Sequence, residues 1–439
     1  MELALSTGLI LLAVFPVLLL IGIPISVTIG ISSVLSILTA LPWENAVFTA
    51  AQRIFTGINS FSLLAIPFFV LAGIIMNNGG IAIKLVNFAT LLSGKLPGSL
   101  AHTNVVGNML FGAISGSGTA AAAAIGGTMS PLQDEAGYDK DFSAAVNIAS
   151  APTGLLIPPS NSLIIYSLVS GGTSVAALFM AGYIPGILWG LGVMVVAFFI
   201  AKKRGYKNNA ERPTFMQALK IFLDAVPSLS LIIIIIGGII GGIFTATEGA
   251  AIAVVYSLLL SMLFYKSIKI KDLPRILLES INMTAMIVFL IGVSSIMSWV
   301  LAFTNVPTYI TQLILGISDN PVIILLIMNV LLLVVGTFMD LTPAILIFTP
   351  IFLPIAQNLG MDTIQFGIML VFNLCIGTIT PPVGNTLFVG CRVAKTKIEG
   401  VIKNILPFYV SIFVVLMLVT FIPAISLFLP RVMGMLEEI

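Results

Sequence analysis

Two stretches decide how this chain is read: GLLIPPSNS at 154–162 and GTITPPVGNTLFVG at 377–390. Each carries a Pro-Pro pair, Pro158-Pro159 and Pro381-Pro382, inside an apolar run that otherwise has the length of a membrane-spanning helix. Proline has no N–H and its ring clashes with the preceding turn, so two in succession break a helix. Broken backbone at bilayer depth exposes polar groups that lipid cannot satisfy. It persists only where protein buries it or where it lines an aqueous site.

The two stretches belong to a repeat. With a shift of 223 residues, Pro131 falls on Pro354, Gly137 on Gly360, Asp139 on Asp362, Gly154 on Gly377, and the Pro-Pro pairs on each other. Asn161 and Asn385 match with one residue of slip. Upstream of each block an apolar run is interrupted by small or polar residues, GAISGSGTA at 112–120 and GTFMDLTPA at 336–344. Each half therefore offers an interrupted apolar stretch, a short polar loop and a Pro-Pro-broken span. Paired breaks in matching halves point to the binding site of a secondary transporter.

Composition agrees. The chain is 59% hydrophobic and 8% charged, with a mean hydropathy of +1.16. This is the composition of a polytopic helical membrane protein and excludes a soluble domain. The expected fold is all-α. The expected spans are 4–21, 23–40, 61–77, a hairpin 99–130, a broken span 143–170, and 176–200. The second half gives 226–243, 248–266, 281–301, a hairpin 322–353, a broken span 365–391, and 404–429. Residues 1–200 and 226–429 are the two repeats, 201–225 a cytoplasmic linker with a short surface-lying stretch, and 430–439 a tail. The first apolar run, Leu3 to Ile21, has no basic n-region or clear cleavage site and reads as a retained helix. Segments 82–96 and 305–318 link a fixed frame to the hairpin units.

Orientation follows from charge. The loop Lys202-Lys203-Arg204…Lys207…Arg212 is the most basic stretch and is assigned to the cytoplasm. Alternating spans then put every Lys and Arg except Arg53 and Arg431 on that side, with both termini outside. The neutral loop Ser170–Thr173 falls outside. Its counterpart, carrying Arg392, Lys395, Lys397 and Lys403, falls inside. The repeats are therefore of inverted topology, with hairpin 99–130 re-entering from the cytoplasm and 322–353 from outside.

At these residues the chain resembles the large membrane subunit of the tripartite ATP-independent periplasmic (TRAP) transporters. The resemblance spans essentially the full length. It is carried by LLAIPFFVLAG at 63–73, GAISGSGTAAAAAIGG at 112–127, GTFMDLTPAILIFTPIFLPIA at 336–356, and the two Pro-Pro stretches. It implies a Na+-driven elevator-type importer of organic acids in the bacterial inner membrane. C4-dicarboxylates, sialic acid and other sugar acids fit the family. It also implies two partners, a small membrane subunit and a soluble periplasmic substrate-binding protein, each a separate chain. No nucleic-acid partner is expected.

The residues suggest where the chemistry lies. Carbonyl and hydroxyl oxygens suit a hard cation, and half-helix N-termini suit a carboxylate. A first cation site pairs the tip Ser115 to Thr119, with Ser115 and Ser117 foremost, with Gly154, Leu155 and Pro158. The competing reading of this small-residue run is close helix packing. A second site pairs Asp340 and Thr342 with Gly377, Thr378 and Thr380. Asp340 is the one acid assigned to the hydrocarbon region, where ionisable groups are costly and usually functional. Its other readings are proton carriage and a structural hydrogen bond. Ser160, Asn161, Ser162, Asn385 and Thr386 follow the breaks. They are substrate donors or helix N-caps, or both. Cys375 and Cys391 read as small buried hydrophobes, and His102 has no second histidine for a metal pair. Trp43, Trp189 and Trp299 read as interfacial or frame-packing residues.

Three rival functions remain at this stage. One is a self-sufficient Na+- or H+-coupled anion symporter needing no binding protein. A membrane-embedded enzyme is disfavoured by the lack of clustered His, Cys or paired carboxylates in the spans. A channel is disfavoured by the inverted broken repeats.

Overall fold

A computed structural model describes residues 2–94, 96–206, 214–316, 318 and 320–436. Among them nine helical runs are long and apolar enough to cross a membrane. The first half begins with α1 (Glu2–Leu20), α2 (Ile25–Ile37), α3 (Trp43–Ile58), a 3-10 turn (Phe61–Leu64), α4 (Ala65–Asn78) and α5 (Ile81–Ser93). A helical hairpin follows, α6 (Ser99–Ser115) and α7 (Gly118–Glu135). The broken span is three pieces, α8 (Lys140–Ser150), α9 (Thr153–Leu156) and α10 (Asn161–Val169), and α11 (Val175–Arg204) closes the half.

The second half also carries a hairpin followed by an interrupted helix. It has α12 (Phe215–Ile240), α13 (Ala246–Leu259) ending in a π-helical turn, α14 (Leu273–Phe303) and α15 (Val306–Leu315). A second hairpin follows, α16 (Pro321–Phe338) and α17 (Leu341–Asn358). The second broken span is α18 (Thr363–Thr378) and α19 (Asn385–Ala394), and the chain continues with α20 (Ile398–Phe421) and α21 (Pro423–Val432). Both Pro-Pro peptide bonds are cis. The helix pairs α6–α7 and α16–α17 fall over residues 99–130 and 322–353, and interrupted helices fall over 143–170 and 365–391.

Four expectations are corrected. Helix α3 was not expected, because Glu44, Gln52 and Arg53 interrupt its apolar residues. It is amphipathic, burying Ala46 and Ala50 while Trp43, Phe48 and Phe55 stay exposed. The stretch 215–225, read as surface-lying, is the first part of one continuous helix, α12. A Thr214/Gln217 capping box starts that helix, satisfying its orphan N–H groups. The expected single span 404–429 is two helices, α20 and α21, because Pro423 cannot donate to the preceding turn. Finally, Trp189 is neither interfacial nor packed in the frame. It is fully buried, with its indole N–H donating to the Ala149 carbonyl at 2.8 Å. Lys207 and Arg212 of the basic loop lie outside the described residues.

Packing sorts the helices into two groups. Helices α2 and α3 pack on α14, α4 on α13, and α5 on α12. The hairpins and broken spans form a second, interdigitated group. Here α7 packs on α19, α10 on α17, and α8 on both α19 and α20. Each hairpin's second arm thus lies against the broken span of the other half, which holds the two tips in one body.

Candidate functional site

Each hairpin meets the break of its own half through a pair of glycines. A methyl on Gly154 would lie 2.1 Å from the Gly112 Cα. A methyl on Gly377 would lie 2.2 Å from the Gly336 carbonyl carbon. Only hydrogen fits at these positions, so backbone approaches backbone directly. The two contacts are the same contact in the two halves.

In the first half this approach sets the tip Ser115-Gly116-Ser117 against the break. A Cβ on Gly116 would lie 3.1 Å from Asn161 Nδ2, and one on Gly118 would lie 3.6 Å from the Ala151 carbonyl oxygen. Pro158 removes the N–H that would have bonded to the Gly154 carbonyl four residues earlier. The Leu155 carbonyl instead accepts from the Ser160 hydroxyl. Ser160 Oγ also accepts from Leu163 N at 3.5 Å, so Ser160 is the N-cap of α10. Ser117 is likewise the N-cap of α7, accepting from Ala120 N at 3.3 Å. Ser115 is buried, its hydroxyl 3.4 Å from the Ser117 carbonyl oxygen. Asn161 Oδ1 is shielded and has no hydrogen-bond partner. Gly154, Pro158 and Ser162 are buried around this point.

In the second half, Asp340 is the N-cap of α17, with no side-chain bond to its own helix. It is exposed, and its Oδ1 accepts from Asn385 Nδ2 at 3.3 Å. The Val383 N–H donates to the Thr337 carbonyl at 3.2 Å, so hairpin and break share a backbone hydrogen bond. Thr380 Oγ1 donates to the Ile376 carbonyl at 2.7 Å, and Thr378 Oγ1 to that of Cys375 at 2.8 Å. Gly377 and Thr386 are buried, and Thr342 is partly so. The structure therefore brings Ser115 and Ser117 to Gly154 and Asn161, and Asp340 to Asn385. The two halves differ as the sequence leads one to expect, one tip carrying neutral oxygens and the other a carboxylate.

Several supporting residues escaped the sequence reading. Asn108 Nδ2 on α6 donates to Asn147 Oδ1 at 3.0 Å and lies 2.8 Å from Ser150 Oγ, both on α8. In the other half Asn373 Nδ2 on α18 donates to Asn329 Oδ1 on α16 at 2.8 Å. Each buried pair locks a hairpin's first arm to the first part of its break. Tyr409 on α20 donates to the Ile379 carbonyl at 2.6 Å, satisfying a carbonyl beside the second break. Gly73 on α4 sits under the first tip, where a Cβ would lie 3.0 Å from the Ser115 carbonyl oxygen. The available signal was polar residues inside apolar runs, which marks buried networks as well as ligand sites.

Together these features define a polytopic helical membrane protein in which two hairpin tips meet two broken helices. The model of the family described as "Tripartite ATP-independent periplasmic transporter, DctM component" matches residues 12–425. The chain belongs to that family, which is a family of membrane transporters. It is 56% identical over 421 residues to the uncharacterized protein YgiK of Salmonella typhimurium, covering 96% of each chain. It is 40% identical over 384 residues to the sialic acid TRAP transporter large permease protein SiaM of Vibrio cholerae, covering 87% of this chain and 89% of that one. It is also 40% identical over 421 residues to the isethionate TRAP transporter permease protein DctMQ of Oleidesulfovibrio alaskensis, covering 95% of this chain and 66% of that one. The solved Alcanivorax borkumensis YdaH transporter aligns with a TM-score of 0.62 at 12% identity, covering 86% of this chain and 88% of that one. That likeness is one of fold.

Proposed function

We propose that this chain is the transport subunit of a Na+-coupled importer of small organic anions in a bacterial inner membrane. It works with a small membrane subunit and a periplasmic substrate-binding protein, and its two halves are inverted repeats. The observation that carries this reading is the tip-on-break contact found once in each half, Gly112 on Gly154 and Gly336 on Gly377. Each contact brings free carbonyls and hydroxyls to a broken helix, the geometry that suits a hard cation.

On this reading Ser115, Ser117, Gly154 and Pro158 bound one Na+ site, and Asp340, Thr342, Gly377 and Thr380 bound the other. Ser160, Asn161, Ser162, Asn385 and Thr386 hold the anion. The start of α10 at Ser160 and Asn161 supports this, because a half-helix N-terminus attracts negative charge. The interdigitated hairpin group moves as a unit against the frame, an elevator motion for which α5 and α15 are the links. If two Na+ accompany a monoanion, each cycle carries net positive charge inward, and an inside-negative potential adds about 2.3 kcal/mol per charge per 100 mV. The relatives' names suggest sialic acid, isethionate and C4-dicarboxylates as first substrates to try.

Uptake into proteoliposomes, with and without the small subunit and binding protein, tests the reading. Uptake is expected to require Na+ and both partners. Uptake driven by a pH gradient without Na+ overturns the coupling and favours proton carriage by Asp340. Full uptake without a binding protein overturns the tripartite assembly.

A further inference from the structure

Away from the hairpin tips, a cavity of ≈ 470 Å³ lies between the frame and the hairpin group. That is within the range of about 300–1,000 Å³ typical of small-molecule pockets. Helix α3 lines it with Arg53, Thr56 and Gly57, the turn after it with Ser60, and α14 with Ile291, Ser294, Ser295 and Ser298. Arg53, Thr56 and Gly57 on α3 and Ile291, Ser294, Ser295 and Ser298 on α14 are spaced three and four residues apart, so each set is one helix face. Leu168 of α10 and Leu346 of α17 line the hairpin-group side.

Close packing explains part of this arrangement. A Cβ on Gly57 would lie 2.0 Å from Ser295 Oγ, so the small residues let the helices touch. Thr56 and Ser295 bond to carbonyls of their own helices. Packing does not explain a guanidinium here. Among the described residues Arg53 takes part in none of the ion pairs, and no Asp or Glu lines the cavity. Its Nε is shielded and lacks a hydrogen-bond partner. Its guanidinium carbon lies over the Trp299 ring, 5.4 Å from the ring centroid. Ser294 on α14 lines the same cavity, is 1% exposed, and has no partner for its hydroxyl. Buried donors are almost always satisfied, so two orphaned ones facing a cavity signal a missing acceptor. A planar guanidinium and a hydroxyl that line one cavity suit an oxyanion with two or three oxygens.

We propose that this cavity is a holding site for a small organic anion, whose carboxylate or sulfonate pairs with Arg53 and Ser294. The inference rests on the organic-anion transporter reading and adds a second station, distinct from the hairpin tips. On the orientation read from the basic loops, Arg53 lies toward the outside, so the station is met before the tips.

Trp299 is a built-in reporter, because an anion on Arg53 alters the charge over its ring. Purified protein in phosphatidylcholine nanodiscs is titrated with succinate, N-acetylneuraminate and isethionate, with Trp299→Phe as the blank. At least one probe is expected to change Trp299 emission saturably. Arg53→Gln is expected to weaken that response on the order of tenfold or more, and Ser294→Ala less. Arg53→Lys keeps the charge without the planar fork and is expected to fall between, which covers the case in which Arg53→Gln fails to fold. Proteoliposome uptake of the same probes separates the two readings. A probe that is taken up without a Trp299 response sinks the holding site and leaves the transporter reading intact. A response without uptake of any probe keeps the site and sinks that reading. An unchanged titration in Arg53→Gln overturns the proposal. So does an emission change that needs only phosphatidylglycerol in the disc and that no probe reverses, which marks a lipid headgroup site.

Discussion

Replacing Gly154 by Ala adds one methyl where a hairpin meets a broken helix. The added carbon would sit 2.1 Å from the Gly112 Cα and 2.7 Å from Ala113 N. Non-bonded carbons rest at about 3.5–4.0 Å, so the backbones must separate by roughly 1.5 Å. The opposing atoms are helix backbone and cannot rotate away. Overpacking costs about 1–3 kcal/mol where side chains can yield, and here the upper end or beyond is expected. A misplacement of about 1 Å in a positioning element can reduce a rate on the order of a hundredfold. Gly127 is the internal control. It lies on the second arm of the same hairpin, and a methyl there meets nothing within 4 Å. Gly127→Ala is therefore expected to be neutral or stabilising by about 0.5–1 kcal/mol, from helix propensity alone. Na+-driven uptake and thermal unfolding of purified protein are the assays. Gly154→Ala is expected to lose most uptake and melt earlier, while Gly127→Ala keeps both. Wild-type uptake and melting in Gly154→Ala would refute the claim that this contact builds the site.

The other expectations follow from the same contacts. Gly377→Ala, with its Cβ 2.2 Å from the Gly336 carbonyl carbon, should behave like Gly154→Ala, and a neutral result there would separate the two halves functionally. Asp340→Asn should weaken Na+ dependence or abolish uptake while the protein still folds. Ser117→Ala should do less, since neutral hydrogen bonds contribute about 0.5–1.5 kcal/mol against about 1.5–3 for charged ones; unchanged Na+ dependence in Asp340→Asn removes it from the cation site. Tyr409→Phe strips the Ile379 carbonyl of its donor and should lower stability by about 1–3 kcal/mol in unfolding experiments. Cysteine labels near Lys203 and Lys397 should react only from the cytoplasmic side and one at Glu248 only from outside; external reaction at Lys203 reverses the topology.

Much of this molecule is legible without a structure. Pro158-Pro159 and Pro381-Pro382 mark the breaks, because proline's missing N–H acts locally and needs no partner. The hairpins are legible because glycine and serine interrupt long apolar runs. The asymmetry of the tips is legible in Asp340, because only the second tip carries a carboxylate. What the sequence could not yield is who faces whom. Helix α3 escaped because its signal is periodicity on one face, which appears only once α14 is seen to cover that face. The Asn108–Asn147 and Asn329–Asn373 pairs join residues some forty positions apart, and nothing local distinguishes a bonding asparagine from a ligand. Trp189 reads in sequence as an interfacial or frame-packing residue, and only the packing puts its N–H on the Ala149 carbonyl. The sequence by itself determined where helices must break, because that is decided within a turn or two of backbone. The tertiary structure alone decided which hairpin arm lies against the break of the other half and where Arg53 lies. Those outcomes depend on how the helices pack, and packing is a property of pairs of surfaces rather than of any one segment.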